Sequence, residues 1–325
     1  MLATGGTIAS RVSSDGGSEA ADTSADLLGR VTVPSGVDVV TQDVLSLNSF
    51  ALTPRDMQTV LDAVLATLAL TGQDAVDGVV VTHGTDTLEE TAFLVDLFVD
   101  DQRPVVFTGA QRGADAEDSD GPANIRDALF VAAAENARSI GTVVVFDGAI
   151  FPARGTRKAH TLASAAFSAP DSGPIGSVAK GTVRIGTSMP RLLPPLDNRQ
   201  LDLTDARVDI IATFPGCDNV AIDAVVAAGA TGIVLEATGA GNANAAICAS
   251  VARFTEQGVV VLLSTRVCSG PVVPIYSGGG GGVDLIAAGA IGTGVLRPSQ
   301  ARMLLLALLG TGASVASIAE VFGDS

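Results

Sequence analysis

At 325 residues the chain exceeds the usual span of one compact core, so two domains are expected. Apolar residues form 47% of it and the mean hydropathy is +0.43, and abundant Ala, Val, Leu and Gly with few aromatics suits buried parallel strands covered by helices. A net charge of −16 repels phosphate backbones and argues against nucleic-acid binding, while the longest apolar runs, such as 303–309, are too short to span a bilayer.

Taken in chain order, short Val/Ile-rich runs alternate with longer amphipathic stretches. Strands are predicted at Val37–Val40, Val79–Thr82, Val105–Thr108 and Thr142–Phe146, and later at Val208–Phe214, Gly232–Glu236 and Val259–Leu263. Thr53-Pro54 opens a helix with a cap residue followed by proline at the first helical position. Met57, Val60, Leu61, Val64, Leu65 and Leu68 then recur at helical spacing. Further helices are predicted to begin at Thr87, Pro122 and Pro298. Residues 147–185 break the alternation with basic residues and turn formers, which predicts a hairpin and loops. The proline-rich stretch 188–205 reads as a linker between an N-terminal domain (1–187) and a smaller C-terminal one (206–325). Alternating strands and helices predict an α/β fold in which each domain is a mainly parallel sheet flanked by helices.

Two loops concentrate the chemistry. Ala3-Thr4-Gly5-Gly6-Thr7-Ile8-Ala9 and Val81-Thr82-His83-Gly84-Thr85-Asp86-Thr87 each run from an apolar segment into glycine and then a hydroxyl. Such turns place the next side chain at the carboxyl edge of a parallel sheet, where open α/β proteins bind ligands. A threonine hydroxyl is a poor nucleophile until a base takes its proton. A lysine supplies that base only in its neutral form, which burial favours and a nearby carboxylate opposes; the sequence leaves that balance open. No P-loop, no dinucleotide-binding glycine fingerprint and no G-x-S-x-G elbow occurs. The two histidines, His83 and His160, neighbour no metal-ligand cluster and are expected to be structural. Cys217, Cys248 and Cys268 are odd in number and match no zinc spacing, so buried, reduced thiols are expected. With no cationic segment ahead of an apolar one at the start, a cytoplasmic protein is expected.

Taken together, the motifs resemble the bacterial-type L-asparaginase family of threonine amidohydrolases. Thr4-Gly5-Gly6-Thr7-Ile8-Ala9 and His83-Gly84-Thr85-Asp86-Thr87 are joined by Thr108-Gly109-Ala110-Gln111-Arg112, Ser119-Asp120-Gly121-Pro122-Ala123-Asn124, Gly241-Asn242-Ala243-Asn244 and Pro298-Ser299-Gln300-Ala301-Arg302, all in the family's order. The resemblance implies hydrolysis of the side-chain amide of L-asparagine without metal or cofactor, in a homodimer or homotetramer with sites between subunits. It implies Thr7 as nucleophile, and Thr85 with Lys158 and Asp86 as the set that activates the attacking group. It also implies that Asp86 holds the substrate ammonium, that Ser49 binds its carboxylate and that Asn242 is offered by a neighbouring subunit. Amidases for glutamine or another amide, and a binding module without turnover, are the alternatives. Three positions depart from the family's pattern. Residues 10–36 lack its tyrosine, Phe50 follows Ser49 where many members have glutamine, and 273–278 lacks a match for an acidic residue.

Overall fold

The computed structural model describes residues 1–12 and 17–323 and divides the chain into two compact units, Met1–Arg191 and Leu192–Ser325. Of the tyrosine-free stretch 10–36, residues 13–16 lie outside the described residues.

In the first unit the strands are β1 (Leu2–Gly5), β2 (Ser10–Val12), β3 (Ser18–Ala20), β4 (Gln42–Leu47), β5 (Val79–Thr82) and β6 (Val105–Thr108). They are followed by β7 (Thr142–Phe146), β8 (Ala149–Pro152), β9 (Arg157–Lys158), β10 (Phe167–Ser168), β11 (Gly176–Ala179) and β12 (Thr182–Ile185). Helices α1 (Ser24–Gly29), α2 (Pro54–Leu68), α3 (Leu88–Phe98) and α4 (Gly121–Ala133) lie between them. The main sheet has the order β12-β11-β8-β7-β6-β5-β1-β4. Strands β7, β6, β5, β1 and β4 pair in parallel, and β8, β11 and β12 extend the sheet antiparallel. From β1 the chain moves to β4 on one side, and from β5 it moves to β6 on the other. The direction of winding therefore reverses between β1 and β5, where open sheets part their loops into a crevice.

The second unit holds a parallel sheet, β13 (Val208–Ala212), β14 (Gly232–Ala237), β15 (Val260–Thr265) and β16 (Ile291–Gly292), paired in that order. Its helices are α5 (Val220–Ala227), α6 (Ala245–Thr255), α7 (Gly282–Ala287), α8 (Pro298–Gly310) and α9 (Val315–Gly323). Helix α8 packs on β13, β14 and β15 and is apolar on nearly every side, as a core helix must be.

The helix starts follow their local chemistry. Thr53 accepts from the Asp56 N–H while Asp56 reaches back to the Thr53 N–H, a capping box ahead of Pro54. Met57, Val60, Leu61, Val64 and Leu68 are buried on one face, and Leu65 is only half-buried. The structure corrects one predicted strand: Val37–Val40 is not a strand, and the adjacent Gln42–Leu47 is. Gln42–Leu47 is an edge strand with much of its surface exposed, so it lacks the continuous apolar run that marks the buried strands. The thiols also differ from expectation. Cys217 and Cys248 are half-buried and Cys268 is exposed, because it lies in the loop that follows β15. No helix of the described residues is long and apolar enough to cross a membrane.

Leu61 is fully buried on α2, which packs against α3. Leu61→Ala is expected to destabilise the protein by about 2–5 kcal/mol, read as a lower denaturant midpoint monitored by circular dichroism.

Candidate active site

Four adjacent strands deliver the candidate residues. Strands β6, β5, β1 and β4 are neighbours and parallel, so the segments leaving their carboxyl ends lie side by side. Those segments carry Gln111, then Thr85 and Asp86, then Thr7, then Ser49.

The loops meet through glycine. Gly5 and Gly6 adopt positive φ (96° and 81°), which favours glycine. A Cβ on Gly5 would stand 2.5 Å from the Leu47 carbonyl oxygen, and one on Gly6 would overlap the Cα of Gly84. The turns that precede Thr7 and Thr85 are thus in backbone contact across the β1/β5 crevice. A Cβ on Gly84 would reach within 2.5 Å of Ser49 Oγ, which sets that hydroxyl against the same turn. Thr87 Oγ1 donates to the Ser49 carbonyl at 2.9 Å and fixes the short helical turn Ser49–Ala51 there. Gly109 leaves room for the Thr85 methyl, which would lie 3.2 Å from an added Cβ. Thr7 is half-exposed, Ser49 and Thr85 are buried, and Asp86 is 53% exposed at its side chain.

Lys158 arrives from outside the parallel strands, on the β9–β10 hairpin. Its Nζ donates to Thr85 Oγ1 at 2.8 Å and to Asp86 Oδ1 at 2.7 Å. The hairpin is seated by Phe167, whose ring lies 5.0 Å from that of Phe146 on β7. Polar ties complete the seating. The Lys158 N–H donates to Glu89 Oε2 at 2.5 Å, Gln111 Nε2 donates to the Thr161 carbonyl at 3.0 Å, and Arg112 Nη1 donates to Ser164 Oγ at 2.9 Å. With Asp86 half-exposed, its ion pair with Lys158 contributes only about 0–1 kcal/mol to stability, so the pair matters for placement.

The loop after β6 is held by the start of α4. Asp120 accepts from the Gln111 and Arg112 N–H groups at 2.9–3.1 Å, and Asn124 Nδ2 donates to the Gly109 carbonyl at 3.0 Å. Residues Ser119–Asn124 therefore brace the loop that faces Thr85. Sequence reasoning assigns no role to Gln111, Glu89 or Asp120. Gln111 and Asp120 lie within the quoted motifs, but their partners are distant or backbone groups that a motif does not reveal.

His83 is buried and structural. Its Nδ1 lies 2.8 Å from the Gly84 carbonyl, which can only accept, so Nδ1 carries the proton. Nε2 is buried without a hydrogen-bond partner among the described residues. Burial holds its pKa down at about 4, against the opposing effect of the Gly84 hydrogen bond. His160, by contrast, is exposed, and its Nδ1 accepts from the Leu162 and Ala163 N–H groups within its own turn.

Asn242 lies in the second unit. Its Oδ1 accepts from the Gly282 N–H at 3.0 Å, which leaves the Nδ2 end of the amide to donate. It is Asn244, not Asn242, that caps α6, through the Ile247 N–H. Among the described residues no group of three or more His, Cys, Asp or Glu side chains is placed to hold a metal ion.

The first unit is an open α/β sheet with threonine loops at its switch point, the place where such sheets bind ligands, and comparison with known proteins gives the family. Residues 1–191 match the asparaginase N-terminal family, and residues 207–322 match the glutaminase/asparaginase C-terminal domain. A "Probable L-asparaginase" of Deinococcus radiodurans is 39% identical, over 99% of this chain and 96% of its own length. L-asparaginase 2 of Escherichia coli is 32% identical, over 100% and 92%. The crystal structure of a probable cytoplasmic L-asparaginase from Campylobacter jejuni superposes with a TM-score of 0.86 at 29% identity, covering 99% of this chain and 97% of that one. The chain belongs to the asparaginase family.

Two outcomes follow. Gly6→Ala forces the Thr7 and Thr85 turns apart, and a displacement near 1 Å is expected to lower turnover about 100-fold, measured as ammonia release from L-asparagine. His83 makes stability sensitive to acid. Its folded pKa of about 4 lies below the unfolded value near 6.5, so the unfolded state takes up the proton first as pH falls. Stability is intact above about 6.5 and is lost towards pH 4, by about 2 kcal/mol at pH 5. His83→Asn, which keeps a donor for Gly84 but does not titrate, is expected to remove that share of the difference between denaturation at pH 7 and pH 5.

Proposed function

We propose that this protein hydrolyses the side-chain amide of L-asparagine to L-aspartate and ammonia, with Thr7 as nucleophile. The observation that carries the reading is the hydrogen-bonded set of Lys158, Thr85 and Asp86 beside the turn that presents Thr7. The names of its relatives, L-asparaginases of Deinococcus radiodurans and Escherichia coli, support the same substrate.

In this reading Thr7 Oγ1 attacks the amide carbon while its proton passes by way of Thr85 to neutral Lys158. The C–N bond then breaks, the nitrogen leaves as ammonia with that proton, and water hydrolyses the acyl-threonine to release aspartate and restore Thr7. Negative charge on the carbonyl oxygen is stabilised by backbone N–H groups of the glycine turns. Asp86 gives one carboxylate oxygen to Lys158, and the other accepts from the substrate ammonium. The Ser49 hydroxyl binds the substrate carboxylate. Asn242 of a neighbouring subunit donates from Nδ2 in a homodimer or homotetramer. The exposed apolar side chains Phe214, Ile275 and Tyr276, in the same unit as Asn242, support association. Free rather than paired cysteines support a cytoplasmic setting. Glutamine is the second reading, favoured by the glutaminase/asparaginase description of the matched C-terminal domain.

The test is ammonia release from L-asparagine and L-glutamine by wild type, Thr85→Ala and Lys158→Met. Asparagine is expected to be the better substrate, and Lys158→Met is expected to lose about 10²–10⁴ in turnover while aspartate still binds by calorimetry. Full turnover in Lys158→Met would remove the mechanism; aspartate binding without release by wild type would favour a binding module.

A further inference from the structure

We propose that Asp284 is a positioning residue that holds the Asn242 amide with its nitrogen end turned outward to donate; this rests on the reading above in which Asn242 donates from Nδ2 to substrate at a neighbouring subunit. The route runs through the glycine run Gly278–Gly282, which has no side chains of its own to fix it. Four successive N–H groups of that run are taken by two side chains. Asp284 Oδ2 accepts from Gly279 at 2.8 Å, from Gly280 at 2.8 Å and from Gly281 at 3.1 Å. The fourth, the Gly282 N–H, donates to Asn242 Oδ1 at 3.0 Å.

A main-chain N–H can only donate, so the oxygen end of the Asn242 amide faces Gly282 and the nitrogen end faces away. The Asn242 main chain is fixed separately. Its N–H donates to the Thr238 carbonyl at 2.8 Å, and its carbonyl accepts from the Thr238 N–H at 2.9 Å. The direction of the amide therefore depends on where the glycine run puts the Gly282 N–H. The run is seated closely on the Asn242 loop. The Gly280 carbonyl accepts from the Ala243 N–H at 2.9 Å. A Cβ on Gly280 would stand 2.3 Å from the Asn244 carbonyl carbon, and one on Gly281 would stand 2.2 Å from the Tyr276 carbonyl oxygen. Glycine permits that approach, yet it also loses the most conformational freedom when fixed. The Asp284 carboxylate offsets that loss with three charge-assisted hydrogen bonds to one oxygen. Without it the run relaxes and the Gly282 N–H leaves Asn242. Nothing then selects which end of the amide points outward, and a turned amide presents an acceptor where the site needs a donor.

The test is steady-state hydrolysis of L-asparagine by the full chain as wild type, Asp284→Ala, Asp284→Asn, Asn242→Ala and the double variant Asp284→Ala with Asn242→Ala. Asn242→Ala is expected to raise KM about tenfold, the worth of one hydrogen bond of the upper usual strength. Asp284→Ala is expected to raise KM about three- to tenfold with kcat within about threefold, because Thr7, Thr85 and Lys158 lie in the other unit. Asp284→Asn keeps a neutral acceptor and is expected to fall between Asp284→Ala and wild type. The double variant is expected to match Asn242→Ala within about twofold, since an effect passed through that amide has no route once the amide is gone. A merely structural role would instead reduce the fraction of active enzyme, lowering kcat at unchanged KM. That pattern in Asp284→Ala, or a double variant whose KM rises by the product of the two single effects, would overturn the proposal. If Asp284→Ala fails to fold, Asp284→Asn carries the same comparison with Asn242→Ala. Asn242→Ala also keeps the two ideas apart. Its unchanged KM would sink the Asn242 reading and this proposal with it, whereas a raised KM there beside an unchanged one in Asp284→Ala would sink only the role of Asp284.

Discussion

Backbone contact between Gly6 and Gly84 is the constraint on which the site depends. Side chains at either position would push the β1 and β5 loops apart, and those loops present Thr7 and Thr85. The contact falls where the sheet's winding reverses, between β1 and β5, so the fold opens a crevice at the place where the glycines close it again. Because the hydroxyls leave from touching backbones, their separation is set by φ and ψ more than by side-chain packing. A positive φ at Gly6 is part of that setting, and only glycine adopts it without strain.

Lys158 obeys a different logic. It sits on a two-residue strand of a small hairpin, an element with almost no ladder of its own to hold it. Its position is instead over-determined from outside: Phe167 against Phe146, Glu89 on its backbone N–H, and Gln111 and Arg112 on the hairpin's turn. Phe146 belongs to the parallel sheet, Glu89 to the first turn of α3, and Gln111 and Arg112 to the loop after β6 that Asp120 braces. Lys158 is thereby referred to the same frame as the threonine it touches.

The buried parallel strands are legible in the sequence because they bury both faces. Val79–Thr82, Val105–Thr108 and Thr142–Phe146 read as unbroken apolar runs and fall on their predicted bounds. Gln42–Leu47 escapes sequence reasoning for the opposite reason: as an edge strand it buries none of its residues fully, and the neighbouring valines at 37–40 give the stronger apolar signal without a partner strand. Within the site, threonines, glycines and Asp86 stand out because they cluster in short motifs. Glu89 and Gln111 do not, since their partners lie 69 and 26 or 50 residues away and one of Gln111's two is a main-chain carbonyl. Asn242 and Asn244 show the same limit, because two asparagines two residues apart divide loop bracing and helix capping in a way that spacing alone does not reveal.

A hydroxyl has one proton and two lone pairs, and its role is decided by which neighbours claim them. At Thr85, Oγ1 lies 3.0 Å from the Gln111 amide oxygen and 2.8 Å from Lys158 Nζ. At Thr4 and Thr108, threonines on the same sheet, the proton is given to a main-chain carbonyl of a neighbouring strand, and the residue serves the sheet. The same side chain, on adjacent strands, is structural where a carbonyl faces it. At Thr85 an amide and a lysine side chain face it instead. The distinction lies in the partners supplied by the β6 loop and the β9–β10 hairpin, so the surroundings of Thr85 are set by loops braced by Asp120, Asn124 and Glu89.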